Sequence, residues 1–125
     1  MDTTRITLTL DTKYFPLPLD VRWLDGKRWY LLAPFEYHSD DGEVTRAKKG
    51  FITDFRSGGR IVTALIGSPT DEGGPAYVIH DWQCVTKPYS YRKIDRRFYN
   101  CLRDARVAYL KRTLMYWVVA IAHLI

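Results

Sequence analysis

Val21-Arg22-Trp23-Leu24-Asp25-Gly26-Lys27-Arg28-Trp29-Tyr30-Leu31-Leu32 decides the first half of the fold. Asp-Gly tolerates the positive φ of a tight turn, so the stretch predicts a β-hairpin. Upstream, Ile6-Thr7-Leu8-Thr9-Leu10 alternates at period two, as a half-buried strand does. Between them, Phe15-Pro16-Leu17-Pro18 lacks amide donors at its prolines and is expected to be an extended connector. Downstream, Asp41-Gly42 separates Phe35-Glu36-Tyr37-His38 from Val44-Thr45-Arg46 and predicts a second hairpin, and Gly50-Phe51-Ile52 begins a further short strand. These readings give a small antiparallel sheet over residues 5 to 55.

The period then changes. Arg60-Ile61-Val62-Thr63-Ala64-Leu65-Ile66 reads as a short helix stopped by Gly67, and Pro75 is placed to open the next, running to about Val85. Tyr91, Ile94, Phe98, Cys101, Leu102 and Ala105 recur at spacings of three and four, which defines one apolar helix face with Asp95 beside it. The final run, Leu114 to Ile125, is apolar nearly all round. A membrane span needs about 20 apolar residues. Lys111-Arg112 cut this run at twelve, so a central core helix is expected, with an interfacial anchor as the alternative. The fold class is therefore α+β: one domain over residues 1 to 125, with the sheet packed against three or four helices from 58 to 125.

A chain of 125 residues can bury roughly two thirds of its unfolded surface and fold without staples. Hydrophobic content of 46% with 26% charged residues is that of a globular domain and argues against disorder. The start, Met1-Asp2-Thr3-Thr4-Arg5, lacks the basic end and apolar run of a signal peptide, so a reducing compartment is expected and Cys84 and Cys101 are read as free, packed thiols. Neither a disulfide nor a metal site is read from them. No nucleophilic serine elbow, phosphate-binding glycine loop or Cys-x-x-Cys pair is present.

Charge is concentrated. Residues 91 to 112 carry eight Lys or Arg against Asp95 and Asp104, and the rest of the chain is close to neutral. Arg92, Arg96, Arg97 and Arg103 on this helix are candidate contacts for an anionic surface, nucleic acid or lipid headgroup; a solvated helix face is the plainer reading.

The chemistry-bearing residues centre on Ile79-His80-Asp81-Trp82-Gln83-Cys84. If the helices from Pro75 and Tyr91 turn back on each other near Lys87-Pro88, His80 and Asp95 lie equally far from the turn and can meet. A carboxylate beside a histidine fixes its tautomer, which is the minimum for general-base catalysis. The same pair also suits a purely structural core histidine. Asp81 lies about 100° round the helix from His80 and serves a different space. With Asp54 and the carbonyls of Ser57-Gly58-Gly59 it would offer oxygen ligands suited to calcium. Structural alternatives are a helix cap for Asp54 and pairing of Asp81 with Arg56 or Arg60. His38 and His123 have no neighbours in sequence that give them a role.

Three motifs in order, Gly50-Phe51-Ile52-Thr53-Asp54-Phe55, His80-Asp81-Trp82 and Arg92-Lys93-Ile94-Asp95-Arg96-Arg97-Phe98, resemble a family of uncharacterised proteins common in bacteriophage and prophage genomes, over about residues 50 to 125. The resemblance implies a phage origin and a place in the host cytoplasm or the virion. It implies no established activity. The histidine-aspartate helix followed by a second aspartate helix also looks like the catalytic helix pair of phospholipase A-two enzymes. That likeness implies His80 as base, Asp95 as its orienter and Asp81 as a calcium ligand. Here Cys84 stands where those enzymes usually have an aromatic hydroxyl, and no cysteine-braced loop precedes it. Two functions follow as expectations. The first is a non-catalytic virion, tail or host-interaction protein without a cofactor, whose partners are other phage structural proteins or a host factor. The second is a calcium-dependent hydrolase of lipid or other esters.

Overall fold

The computed structural model describes residues 5–25, 28–53 and 73–124. The hairpin turn at Gly26-Lys27, Asp54 and the helix expected over 60–66 lie outside the described residues.

The fold is α+β. Strands β1 (Arg5–Leu8), β2 (Leu19–Asp25), β3 (Arg28–Leu31) and β6 (Ile52–Thr53) form an antiparallel sheet in the order β1-β2-β3-β6. Strands β4 (Phe35–His38) and β5 (Val44–Ala47) pair with each other as a separate hairpin, so the expected single sheet is two pieces. In the larger sheet Ile6 faces Val21 and Leu8 faces Leu19, and the pleat sends Leu19, Val21 and Leu31 into the core. On the opposite face Asp20 accepts hydrogen bonds from Arg5 and Thr7 of the neighbouring strand. In the hairpin, Phe35, Tyr37 and Ala47 point inward while Glu36 accepts from its cross-strand partner Arg46.

Phe15, in the proline-flanked connector, joins the two pieces. Its buried ring stacks on Phe35 at 5.8 Å and on Tyr37 at 5.4 Å between centroids.

Three helices follow among the described residues: α1 (Gly74–Thr86), α2 (Tyr91–Asp104) and α3 (Tyr109–Ala122). Close packing explains the glycine that precedes α1. A Cβ on Gly73 would lie 2.7 Å from Met115 Cε of α3, so a larger residue there must displace that side chain. α1 ends at Lys87, held at φ 45° with its N–H bonded to Gln83 O, and Pro88 then forbids another turn. Ser90 caps α2 by accepting from the Lys93 N–H.

α2 closes in a Schellman motif. Arg106 sits at φ 66°, its N–H bonds Arg103 O, and the Val107 N–H reaches back to Leu102 O. Val107 is buried against the core cluster, the apolar contact such ends usually carry.

One expectation is corrected. The last helix is not a central core helix: in α3 only Met115 and Val119 are buried, whereas Leu110, Leu114, Trp117, Ile121 and the following Leu124 are exposed. An apolar run without a polar face carries no periodic signal of which side packs, so sequence could not orient it.

Candidate functional site

The turn at Lys87 to Ser90 folds α2 back along α1 and brings two buried groups together. His80 Nε2 lies 2.9 Å from Asp95 Oδ1, as the equal distances from the turn suggest. His80 is 0% exposed, its ring 4.5 Å from Phe98 and 5.8 Å from Tyr77 between centroids.

His123 is not incidental. Its Nδ1 lies 2.7 Å from Asp95 Oδ2, so one carboxylate holds two imidazoles, one on each oxygen. Tyr91 stacks on the outer side of His123 at 4.3 Å, and Lys87 Nζ lies 4.3 Å from the centre of the Tyr91 ring. The local sequence gave no sign of this, because His123 and Asp95 are 28 residues apart. A carboxylate only accepts, so the nitrogens facing Asp95 carry the protons and His80 Nδ1 and His123 Nε2 are left with lone pairs. Cys84, one helical turn after His80, places Sγ 3.9 Å from each of those two atoms. His80 and Cys84 stand four residues apart, a spacing legible in the sequence that puts both on one helix face.

Access is graded. Tyr91, Arg92, Asp95, Tyr116, Trp117 and His123 line a surface cleft of about 390 Å³, and His80 lies behind Asp95. The histidine named as a general base is therefore the sealed one, and the half-buried His123 faces the cleft. Burial holds the His80 pKa below its ordinary value, against the opposing pull of Asp95, and pushes the Cys84 thiol up to about 12.

A pH dependence follows. Unfolded His80 titrates near ~6.5, and its folded value is lower, so on acidification the unfolded chain takes up the proton first. Stability from this group is complete above ~6.5 and declines below it, by at most ~1.4 kcal/mol per pH unit. The groups packed around it are Asp95, His123, Asp81 and Cys84. Urea unfolding with a chelator from pH 8 to 5 is expected to show a steeper decline for the wild type than for His80→Gln. Parallel declines would mean that His80 does not drive the effect.

Asp81 turns to the sheet. Thr53 Oγ1 donates to Asp81 Oδ2 at 2.6 Å, and both residues are buried. This ties β6 to α1, and Trp82 next to it packs edge-on against Phe51 at 5.1 Å. Asp54 and the Ser57-Gly58-Gly59 carbonyls lie outside the described residues, as do Arg56 and Arg60. Asp81 belongs to no group of three His, Cys, Asp or Glu side chains close enough to share an ion, among the described residues.

The four arginines divide. Arg97 binds Asp41 Oδ2 at 2.6 Å and Glu43 Oε2 at 2.8 Å, and Arg103 pairs with Asp104 and Asp40. Arg92 and Arg96 are exposed. Folding thus draws acids from the β4–β5 turn onto the basic helix, which a charge count along the chain cannot show.

Tyr37 and Asp104 form a second buried polar contact, absent from the sequence reading. The hydroxyl donates to Asp104 Oδ2 at 2.5 Å, and burial together with that carboxylate holds the phenol protonated. Tyr37→Phe leaves Asp104 with Arg103 but one donor short, at an expected cost of ~1–3 kcal/mol. Urea unfolding reads it directly, and a change under about 0.5 kcal/mol would show that water replaces the hydroxyl.

A family model described as a protein of unknown function (DUF1353) matches residues 29–119. That is well over half of the chain, and the chain belongs to that family. The match takes in His80, Asp81, Cys84 and Asp95 and reaches further into the sheet than the three motifs, while His123 lies beyond it. No curated protein and no solved structure matches the chain.

Proposed function

As the premise here is a DUF1353 chain with a sealed His80, we propose that it is a non-catalytic interaction protein, phage-encoded and acting as a virion or tail component or a host-interaction factor, that docks a helical partner on the outer face of α3. One observation carries the reading. Leu110 (81% exposed), Leu114, Trp117 and Ile121 follow one another at steps of four, three and four residues, the seam of a helix that packs on another helix, and Leu124 (87% exposed) extends the stripe just past the helix end. A contiguous exposed apolar stripe is uncommon on a protein that works alone.

The flanks describe the partner. Arg96 shares a recess with Tyr109, Tyr116 and Trp117, and Arg92 shares the His123 cleft with Trp117 and Leu124. An amphipathic helix with acidic residues beside its apolar face fits that border. No described helix is long and apolar enough to cross a membrane. In this reading His80, Asp95 and His123 are an internal brace that holds α3 against α1 and α2.

The test places a photocrosslinker at Leu114 of the full chain in producing cells and assays ester-lipid turnover with and without calcium. A defined helical partner is expected, with its affinity lowered at least ~30-fold by Trp117→Lys/Ile121→Lys, the effect of losing about 2 kcal/mol at an interface centre. Turnover is expected to stay at background. Calcium-dependent turnover that His80→Gln abolishes and Trp117→Lys/Ile121→Lys leaves intact would replace the docking role with that of a hydrolase.

A further inference from the structure

We infer that Cys84, His80 and His123 form a site for a zinc-class divalent cation, with Asp95 as the shared outer partner that holds both imidazoles as ligands. The inference is independent of the docking reading, since it uses the inner side of α3 and not its exposed stripe.

Geometry carries it. Among the described residues these three side chains are the one group of His, Cys, Asp or Glu whose donor atoms, one from each, lie within 4.8 Å of one another. Tetrahedral zinc with bonds of about 2.3 Å to sulfur and 2.0–2.1 Å to nitrogen sets sulfur and nitrogen about 3.6 Å apart. Sγ of Cys84 is 3.9 Å from His80 Nδ1, 3.9 Å from His123 Nε2 and 3.7 Å from His80 Nε2, so it stands beside the His80 ring, and binding requires the Cys84 side chain to swing toward the Nδ1 lone pair. Both nitrogens are the ones that Asp95 leaves unprotonated, because its two oxygens take the N–H of the other nitrogen in each ring. A carboxylate fixing the tautomer and direction of a ligating histidine is the usual outer partner of a metal site, and here one residue does so for two ligands.

The donor set selects the metal. One thiolate and two imidazoles suit a borderline-soft cation such as zinc and not calcium, which takes oxygen. Three protein ligands leave a fourth position for a water molecule. Binding forms the metal–sulfur bond and releases the Cys84 proton to solvent, so affinity rises with pH.

Cobalt(II) is the probe for the test, titrated into the reduced, metal-free full chain. One equivalent is expected to give a thiolate-to-cobalt charge-transfer band in the near ultraviolet, which zinc then bleaches. Cys84→Ser is expected to lose the band, and Asp95→Asn to weaken binding by ~10–100-fold. Should either variant fail to fold, the wild type still decides. Zinc is expected to slow alkylation of Cys84, mapped by peptide mass, with the buried Cys101 as internal reference. No thiolate band at one equivalent, a band that survives in Cys84→Ser, or alkylation of Cys84 unaffected by zinc would overturn the site.

Discussion

Asp95→Ala is expected to lower the unfolding free energy by roughly 2–6 kcal/mol, about 1–3 for each of the two imidazole N–H donors left without an acceptor. The size follows from where the two donors are. His80 is wholly enclosed and His123 is half-buried, so the His80 N–H cannot turn to solvent once the carboxylate is gone. Desolvated donors without acceptors cost more than the hydrogen bonds themselves contribute. Asp95→Asn is expected to fall between, at ~1–3 kcal/mol, because the amide keeps one acceptor and sets a donor against the second imidazole. Urea unfolding of the three proteins checks the order. A loss under about 1 kcal/mol in Asp95→Ala would mean that water reaches the site and the pair does not brace the fold.

Phe98→Ala is expected to cost ~3–5 kcal/mol through lost burial and the cavity left behind. Its ring fills the space between the two helices, 4.5 Å from His80 and edge-on to Tyr77 at 6.1 Å between centroids. Stability alone would not separate it from any other core position. Removing the ring also opens the wall against which His80 is desolvated, so the His80 pKa is expected to rise toward ~6.5. An NMR titration of the His80 ring protons in Phe98→Ala tests that part. An unchanged midpoint would assign the low value to a neighbour other than the Phe98 wall.

The two hairpins, the proline connector and the helices over 74–86 and 91–104 were legible because turn residues and periodic apolar positions are local signals. Asp41-Gly42 marks its turn with Gly42 at φ 85°, and Pro75 and Ser90 mark helix starts by their own chemistry. The pairing of His80 with Asp95 was also within reach, since two helices and a short turn fix it. What sequence did not hold was whatever depended on long-range packing. His123 comes to Asp95 only once α3 lies along α2, and Tyr37 meets Asp104 across 67 residues. The division of the strands into two sheets was likewise hidden, because alternation reports which face is buried and not which neighbour covers it. For the same reason neither reading of the basic helix, an anionic-contact surface or a solvated face, holds the pairing of Arg97 with Asp41 and Glu43.

The separate β4–β5 hairpin is fastened to the helices by side chains: Tyr37 to Asp104, Thr45 to Gln83, Glu43 to Tyr89 and Arg97. Apart from Phe15 and the His38 N–H on Tyr14 O, its ties run to α1 and α2 more than to the strands beside it in sequence, so the chain divides into cooperative units that cut across sequence order. In native-state hydrogen exchange the amides of Tyr37 and Thr45 would then open together with the middle of α2, and those of Val21 and Leu31 as a second group with its own opening free energy. Since those ties span 38 to 67 residues, the hairpin joins its unit only after the helices have met, which places its ordering late in folding.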